Sequence, residues 1–136
     1  RGREVQQLDI GYPGSPLALE KPERAEGLFA GDRAPDARLR GAAGQPLRLF
    51  ELLRGPHWTL LGYQVKRGAV PARTGLHIHC VGPTEELIDE SEDFRRAYAV
   101  SSGDWVLLRP DGYIGAFVGS EQIDTLTRFL AEQGLV

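Results

Sequence analysis

The run VLLRPDGYIGAF, Val106 to Phe117, sets Arg109, Pro110, Asp111 and Gly112 between two apolar stretches. A guanidinium next to a carboxylate can grip a polar substrate, so the four residues have the makings of a site. They also suit a tight turn. Pro110 presets φ for the second turn position, Asp111 suits the third, and Gly112 can take a positive φ. A type I turn with a glycine bulge is a common three-residue hairpin connection. The turn reading is the stronger, and it leaves Arg109 free to meet a carboxylate across a domain interface.

Five other groups carry potential chemistry. His77 and His79 stand two apart on an expected strand, so both point to one face. A metal would need a third ligand there, and His57 is the one remaining histidine. No metal site is expected, and hydrogen-bonded sheet or interface histidines are the better reading. Cys80 alternates to the opposite face, beside Ile78, as a small buried hydrophobe rather than a nucleophile. Glu85, Glu86, Asp89, Glu90, Glu92 and Asp93 lack the spacing and central glycine of a calcium loop. They read as a solvated approach to a helix, whose dipole they favour. Trp58 and Trp105, both at strand starts, read as core or interface. Arg33, Arg38, Arg40, Arg48 and Arg54 are offset by Asp32, Asp36 and Glu51 without interleaved aromatics, so nucleic acid is not an expected partner. No catalytic, cofactor-binding or metal residue is assigned from these patterns.

The elements that must position these residues follow from composition and spacing. A chain of 136 residues, 41% hydrophobic and 26% charged with net charge −3, suits one compact domain with a real core. That charge argues against a polyanionic partner, and no apolar run is long enough to span a membrane. The polar start RGREVQQLD is no secretory signal, and one cysteine suits a reducing cytoplasm. The absence of any methionine predicts a piece of a longer chain.

Residues 1–27 are rich in Pro and Gly and read as a connecting arm, with an extended piece at Val5–Ile10 and docked Leu8, Ile10, Tyr12 and Leu17. Residues 28–136 read as the domain. APDARL is an expected strand. LRLFELLRG is a helix on the Leu49, Leu52, Leu53 spacing, stopped by Gly55 and Pro56. HWTLLGYQ and LHIHCVG are buried strands joined by a loop. A helix capped by Ser91 carries Phe94, Ala97 and Tyr98. Two strands flank the turn, and a last helix capped by Ser120 buries Ile123, Leu126, Phe129 and Leu130 before Gly134. This order predicts an α/β fold with a mixed central sheet flanked by helices.

The order, and the start GDRAPDARLRGAAGQPLRLFELLRGPHWTLLGY, resembles the thioredoxin fold as peroxiredoxins use it. The redox parts are absent. Catalytic members hold a cysteine after the first core strand, where a helix N-terminus favours the thiolate. Here Gln64–Leu76 holds no Cys and no CxxC, and Ser101, Ser102, Gly103 and Asp104 replace the expected proline. LDIGYPGSPL, AGDRAPDARL, RLFELLRGPHWTLLGY and above all VLLRPDGYIGAF resemble, from about Leu8 to Leu135, the C-terminal thioredoxin-like domain of FAD-dependent aromatic-ring hydroxylases. These are the flavoprotein monooxygenases related to phenol hydroxylase and the polyketide hydroxylases.

The resemblance implies a non-catalytic accessory domain for packing or oligomerisation. Its partners would be the FAD and substrate domains of the same polypeptide, with a homodimer as a further implied assembly. FAD and NAD(P)H are implied for the parent and none for this chain, which lacks the G-x-G-x-x-G fingerprint. Two other functions compete. One is a stand-alone, redox-inactive thioredoxin-like binding or scaffold protein. The other is a thiol peroxidase using Cys80, disfavoured because no basic neighbour in sequence would lower the thiol pKa.

Overall fold

The computed structural model describes residues 18–136. Within them eight strands form one sheet in the order β1-β8-β7-β4-β5-β6-β2-β3. The strands are β1 (Leu19–Lys21), β2 (Arg38–Arg40), β3 (Pro46–Arg48), β4 (Trp58–Tyr63), β5 (Leu76–Gly82), β6 (Leu87–Ile88), β7 (Trp105–Leu108) and β8 (Ile114–Val118). The helices are α1 (Leu49–Leu52), α2 (Asp93–Tyr98) and α3 (Ile123–Glu132).

The centre of the sheet is β8-β7-β4-β5, where the apolar runs are longest. Burial on both faces is what a continuous apolar strand requires, and every residue of β7 and β8 is buried. One face packs Leu61, Tyr63, Val81, Val106 and Ile114 against Leu49, Phe94 and Tyr98 of α1 and α2. The other packs Leu60, Leu107, Ala116 and Val118 against Leu126, Phe129 and Leu130 of α3. Each strand therefore feeds two cores, and together they make the mixed, helix-flanked α/β sheet expected.

Several local expectations change. LRLFELLRG is divided: Leu47 pairs with Leu39 in the β2–β3 ladder, and helix survives only over Leu49–Leu52. Cross-strand pairing thus outcompetes helix spacing for its first residues. The strand expected in APDARL begins only at Arg38, because Asp36 turns back to accept the amides of Ala37 and Phe50. Ser91 does not cap α2. The buried Asp89 does, accepting the Phe94 and Arg95 amides at 2.9 and 3.0 Å, with Glu92 in the left-handed region. Ser120 does not cap α3 either; it opens a 3-10 turn, Ser120–Gln122, that leads into the helix. A two-residue strand, β6, lies inside the acidic stretch expected to be loop.

Leu19–Lys21, within the segment expected to be a connecting arm, is a strand parallel to β8. Arg24 then ties the next residues down. Its guanidinium donates to the carbonyls of Leu28, Tyr98 and Ala99 and lies 3.7 Å over the Phe117 ring. It thereby satisfies carbonyls that the end of α2 leaves open. The expected extended piece at Val5–Ile10 and the docking of Leu8, Ile10, Tyr12 and Leu17 lie outside the described residues. No helix among the described residues is long and apolar enough to cross a membrane.

Candidate functional site

Arg109–Gly112 is the turn that its chemistry predicts. The Gly112 amide donates to Arg109 O at 3.0 Å, and the Arg109 amide to Tyr113 O at 2.8 Å. Gly112 takes φ +87°, the left-handed value that closes a hairpin with a bulge. Asp111 accepts the Tyr113 amide and holds the Arg109 guanidinium at 2.6 Å. Arg109 therefore meets a carboxylate of its own turn.

The turn is part of a larger cluster. Gly31–Ala34 runs along Gly112–Ile114, with hydrogen bonds Gly31 N–H to Ile114 O, Ile114 N–H to Asp32 O and Ala34 N–H to Gly112 O. This brings Arg33 beside Tyr113, its guanidinium 5.0 Å from the ring centroid; Arg109 lies 5.9 Å from the same ring. A bulge follows immediately. Leu107 pairs with Ala116 and Leu108 with Ile114, so Gly115 has no partner of its own. A β-carbon there would stand 3.2 Å from both Arg109 Cγ and Trp58 Cζ3. The bare Gly115 lets those two side chains close over the strand, so Trp58 is half-buried against the turn while Trp105 is core.

The three histidines come together, which sequence spacing did not show for His57. The His57 and His77 rings stack at 3.6 Å, and His57 Nε2 donates to Leu52 O at the end of α1. His77 is held below the ordinary histidine pKa, by desolvation first and then by His57 and His79. His79 donates to Glu86 at 3.3 Å, so a carboxylate is placed beside the histidines. Glu86 also takes the Cys80 amide and lies 3.7 Å from Arg67. Among the described residues no three His, Cys, Asp or Glu side chains converge so as to hold a metal ion.

Cys80 is buried on the face away from the histidines, and burial pushes its thiol pKa up, with Glu86 and Glu85 adding to the rise and Arg67 opposing it. That is the opposite of what a nucleophile needs. Of the acidic group, Asp89 and Glu86 are not the solvated residues expected but the cap and the histidine acceptor just described. Asp93 accepts the Arg38 amide, and Arg40 pairs with Glu90. Two open pockets of about 400 and 390 Å³ lie by the β2–β3 hairpin and beneath the Arg24 segment. Both mix acids with bases, and neither gathers a catalytic constellation.

The family model for the aromatic-ring hydroxylase C-terminal domain matches residues 28–133. The chain belongs to that family. This hydroxylase C-terminal domain is 35% identical over 94% of its length to a flavin-dependent monooxygenase of Mycobacteroides abscessus, and 32% identical over 88% to 6-methylpretetramide 4-monooxygenase of Streptomyces rimosus. It spans 23% of the length of each of these relatives. Among solved structures it superposes on the flavin-dependent monooxygenase PieE, in complex with FAD and substrate, at a TM-score of 0.61 with 18% identity, covering 82% of this chain and 23% of that one. It also superposes on the thioredoxin domain of a thiol-disulfide oxidoreductase from Bacteroides vulgatus, at a TM-score of 0.51 with 15% identity, covering 76% and 99%. The fold is thioredoxin-like.

The described part of this hydroxylase C-terminal domain does not fit FAD. A dinucleotide needs free helix N-terminal amides for its pyrophosphate. The parallel crossover from β4 to β5 contains no helix. The first amides of α2 are taken by Asp89, and α3 starts among Glu121 and Asp124, which repel phosphate.

Proposed function

We propose that this chain is the non-catalytic C-terminal accessory domain of an FAD- and NAD(P)H-dependent aromatic-ring hydroxylase. Its role is packing against the FAD and substrate domains of the same polypeptide, with a homodimeric parent as a further part of the reading. The hydride and oxygen chemistry belongs to the flavin elsewhere in the parent. One observation carries this reading: the family match covers 28–133 while the chain spans 23% of its curated relatives. The thiol-free, helix-free β4–β5 crossover and the raised pKa of Cys80 count against a thiol peroxidase. NAD(P)H use and a lone free thiol support the cytoplasm. We take residues 28–136 as the domain proper, with 18–27 strapped to it through β1 and Arg24.

The test is the gene upstream of Arg1 together with the intact mass of the cellular protein. The expected result is one polypeptide about four times this length, following the relatives, with G-x-G-x-x-G after a strand. The purified parent should carry flavin absorbance and this chain alone should not. A cellular protein of 136 residues would instead favour the stand-alone scaffold.

A further inference from the structure

We propose that Arg33, Tyr113 and the Arg109–Asp111 turn form the surface by which this domain docks on the preceding part of its own polypeptide, with Arg33 receiving a carboxylate there. The inference rests on the accessory-domain reading above and names the surface that does the packing.

Three observations converge. The first is chain direction. β1 runs parallel to β8, with Leu19 beside Ala116 and Lys21 beside Val118. The polypeptide therefore comes into the sheet from the end of β8 that carries the turn, and Gly31–Ala34 lies between that point and the turn. The first described residues therefore stand toward this end of β8, and this C-terminal domain spans only 23% of the length of its relative.

The second is charge. Arg33 is exposed and has no hydrogen-bond or ion-pair partner among the described residues; its neighbour Asp32 turns inward to the Phe29 amide. Arg109, by contrast, is already closed on Asp111. One cation on this surface is spoken for and one is open.

The third is rigidity. Arg33 is bridged by its backbone to Tyr113, and its guanidinium lies 5.0 Å from that ring's centroid, a contact that restricts the side chain. A planar cation restricted in this way loses less entropy when it donates in a two-pronged fork to a carboxylate. Tyr113 and Trp58, each half-buried, supply apolar area around it of the kind that anchors an interface.

The experiment is amide hydrogen exchange on the parent enzyme and on this chain. Exchange over Arg109–Tyr113 should be slower in the parent by roughly tenfold or more, as burial of a surface turn produces. Arg33→Glu in the parent should return that segment to the rate of the free chain while β4 and β7 stay protected. If Arg33→Glu also exposes β4 and β7, Arg33→Gln replaces it and is read the same way. Equal exchange in parent and chain would overturn the proposal, as would protection that survives both substitutions. Protection that varies with protein concentration would assign the surface to a second copy and overturn it too. A cellular protein of only 136 residues would sink the accessory-domain reading as well, whereas a parent with an unprotected turn sinks this proposal alone.

Discussion

At 3.6 Å the His57 and His77 rings are close enough that two protons cannot be held without repulsion. The fold thus favours neutral His77. Because its folded pKa lies below the unfolded value, the unfolded chain binds more protons as pH falls through the ordinary histidine value of 6.5. The contribution is fully present above that pH and is lost on acidification. In an NMR titration the His77 ring protons should show a midpoint below 6.5, and His57→Ala should move it upward. An unmoved midpoint would mean that His57 plays no part. Arg73 makes a second residue-scale case. Its Nη1 is buried without an acceptor among the described residues. Such a donor costs about 1–3 kcal/mol of desolvation. Arg73→Met keeps the stem and removes the donor, so urea denaturation should show stability unchanged or raised. A loss above about 1 kcal/mol would show that the charge is used.

At the scale of elements, α2 shows what spacing can and cannot reveal. Its stripe of Phe94, Ala97 and Tyr98 is readable because helix period and burial coincide. Its cap is not, because Asp89 reaches five and six positions ahead, from a turn in which Glu92 adopts φ +58°. Asp89→Ala should cost about 1–2 kcal/mol by urea denaturation, since a cap and two amide acceptors go together. A neutral result would assign the capping to water. The same division runs through the rest of the chain. The central strands and the Arg109–Gly112 hairpin are legible since each is set by local chemistry: apolar runs in one case, Pro, Asp and Gly in the other. The stack of His57 on His77 and the laying of Arg33 over Tyr113 are not legible. They join residues 20 and 80 positions apart and depend on strand register. The Leu47–Leu39 pairing that shortens α1 is hidden for the same reason.

For the whole molecule, the telling feature is the strap. Residues 18–27 add an edge strand and place one guanidinium on two carbonyls at the end of α2 and on that of Leu28. A chain starting at Leu28 should therefore unfold at clearly lower temperature than one starting at Ala18. Arg24→Ala in the longer chain should give part of that loss, roughly 1–3 kcal/mol for charge-assisted bonds. Equal melting temperatures would return 18–27 to the status of a mere linker. With the strap in place the domain is held at both ends of β8, by β1 on one side and by the Gly31–Ala34 segment beside the turn.

The crossover from β4 to β5, with loop where a thiol protein has a helix, bears on evolutionary reversibility. A cysteine placed at Gln64 would face no helix dipole, and so its thiolate would lack that stabilisation. Regaining peroxidase or reductase activity would require a cysteine, a helix behind it and a proline ahead of β7, none of use without the others. A single cysteine substitution in the Gln64–Gly75 crossover therefore supplies only one of the parts that thiol chemistry needs.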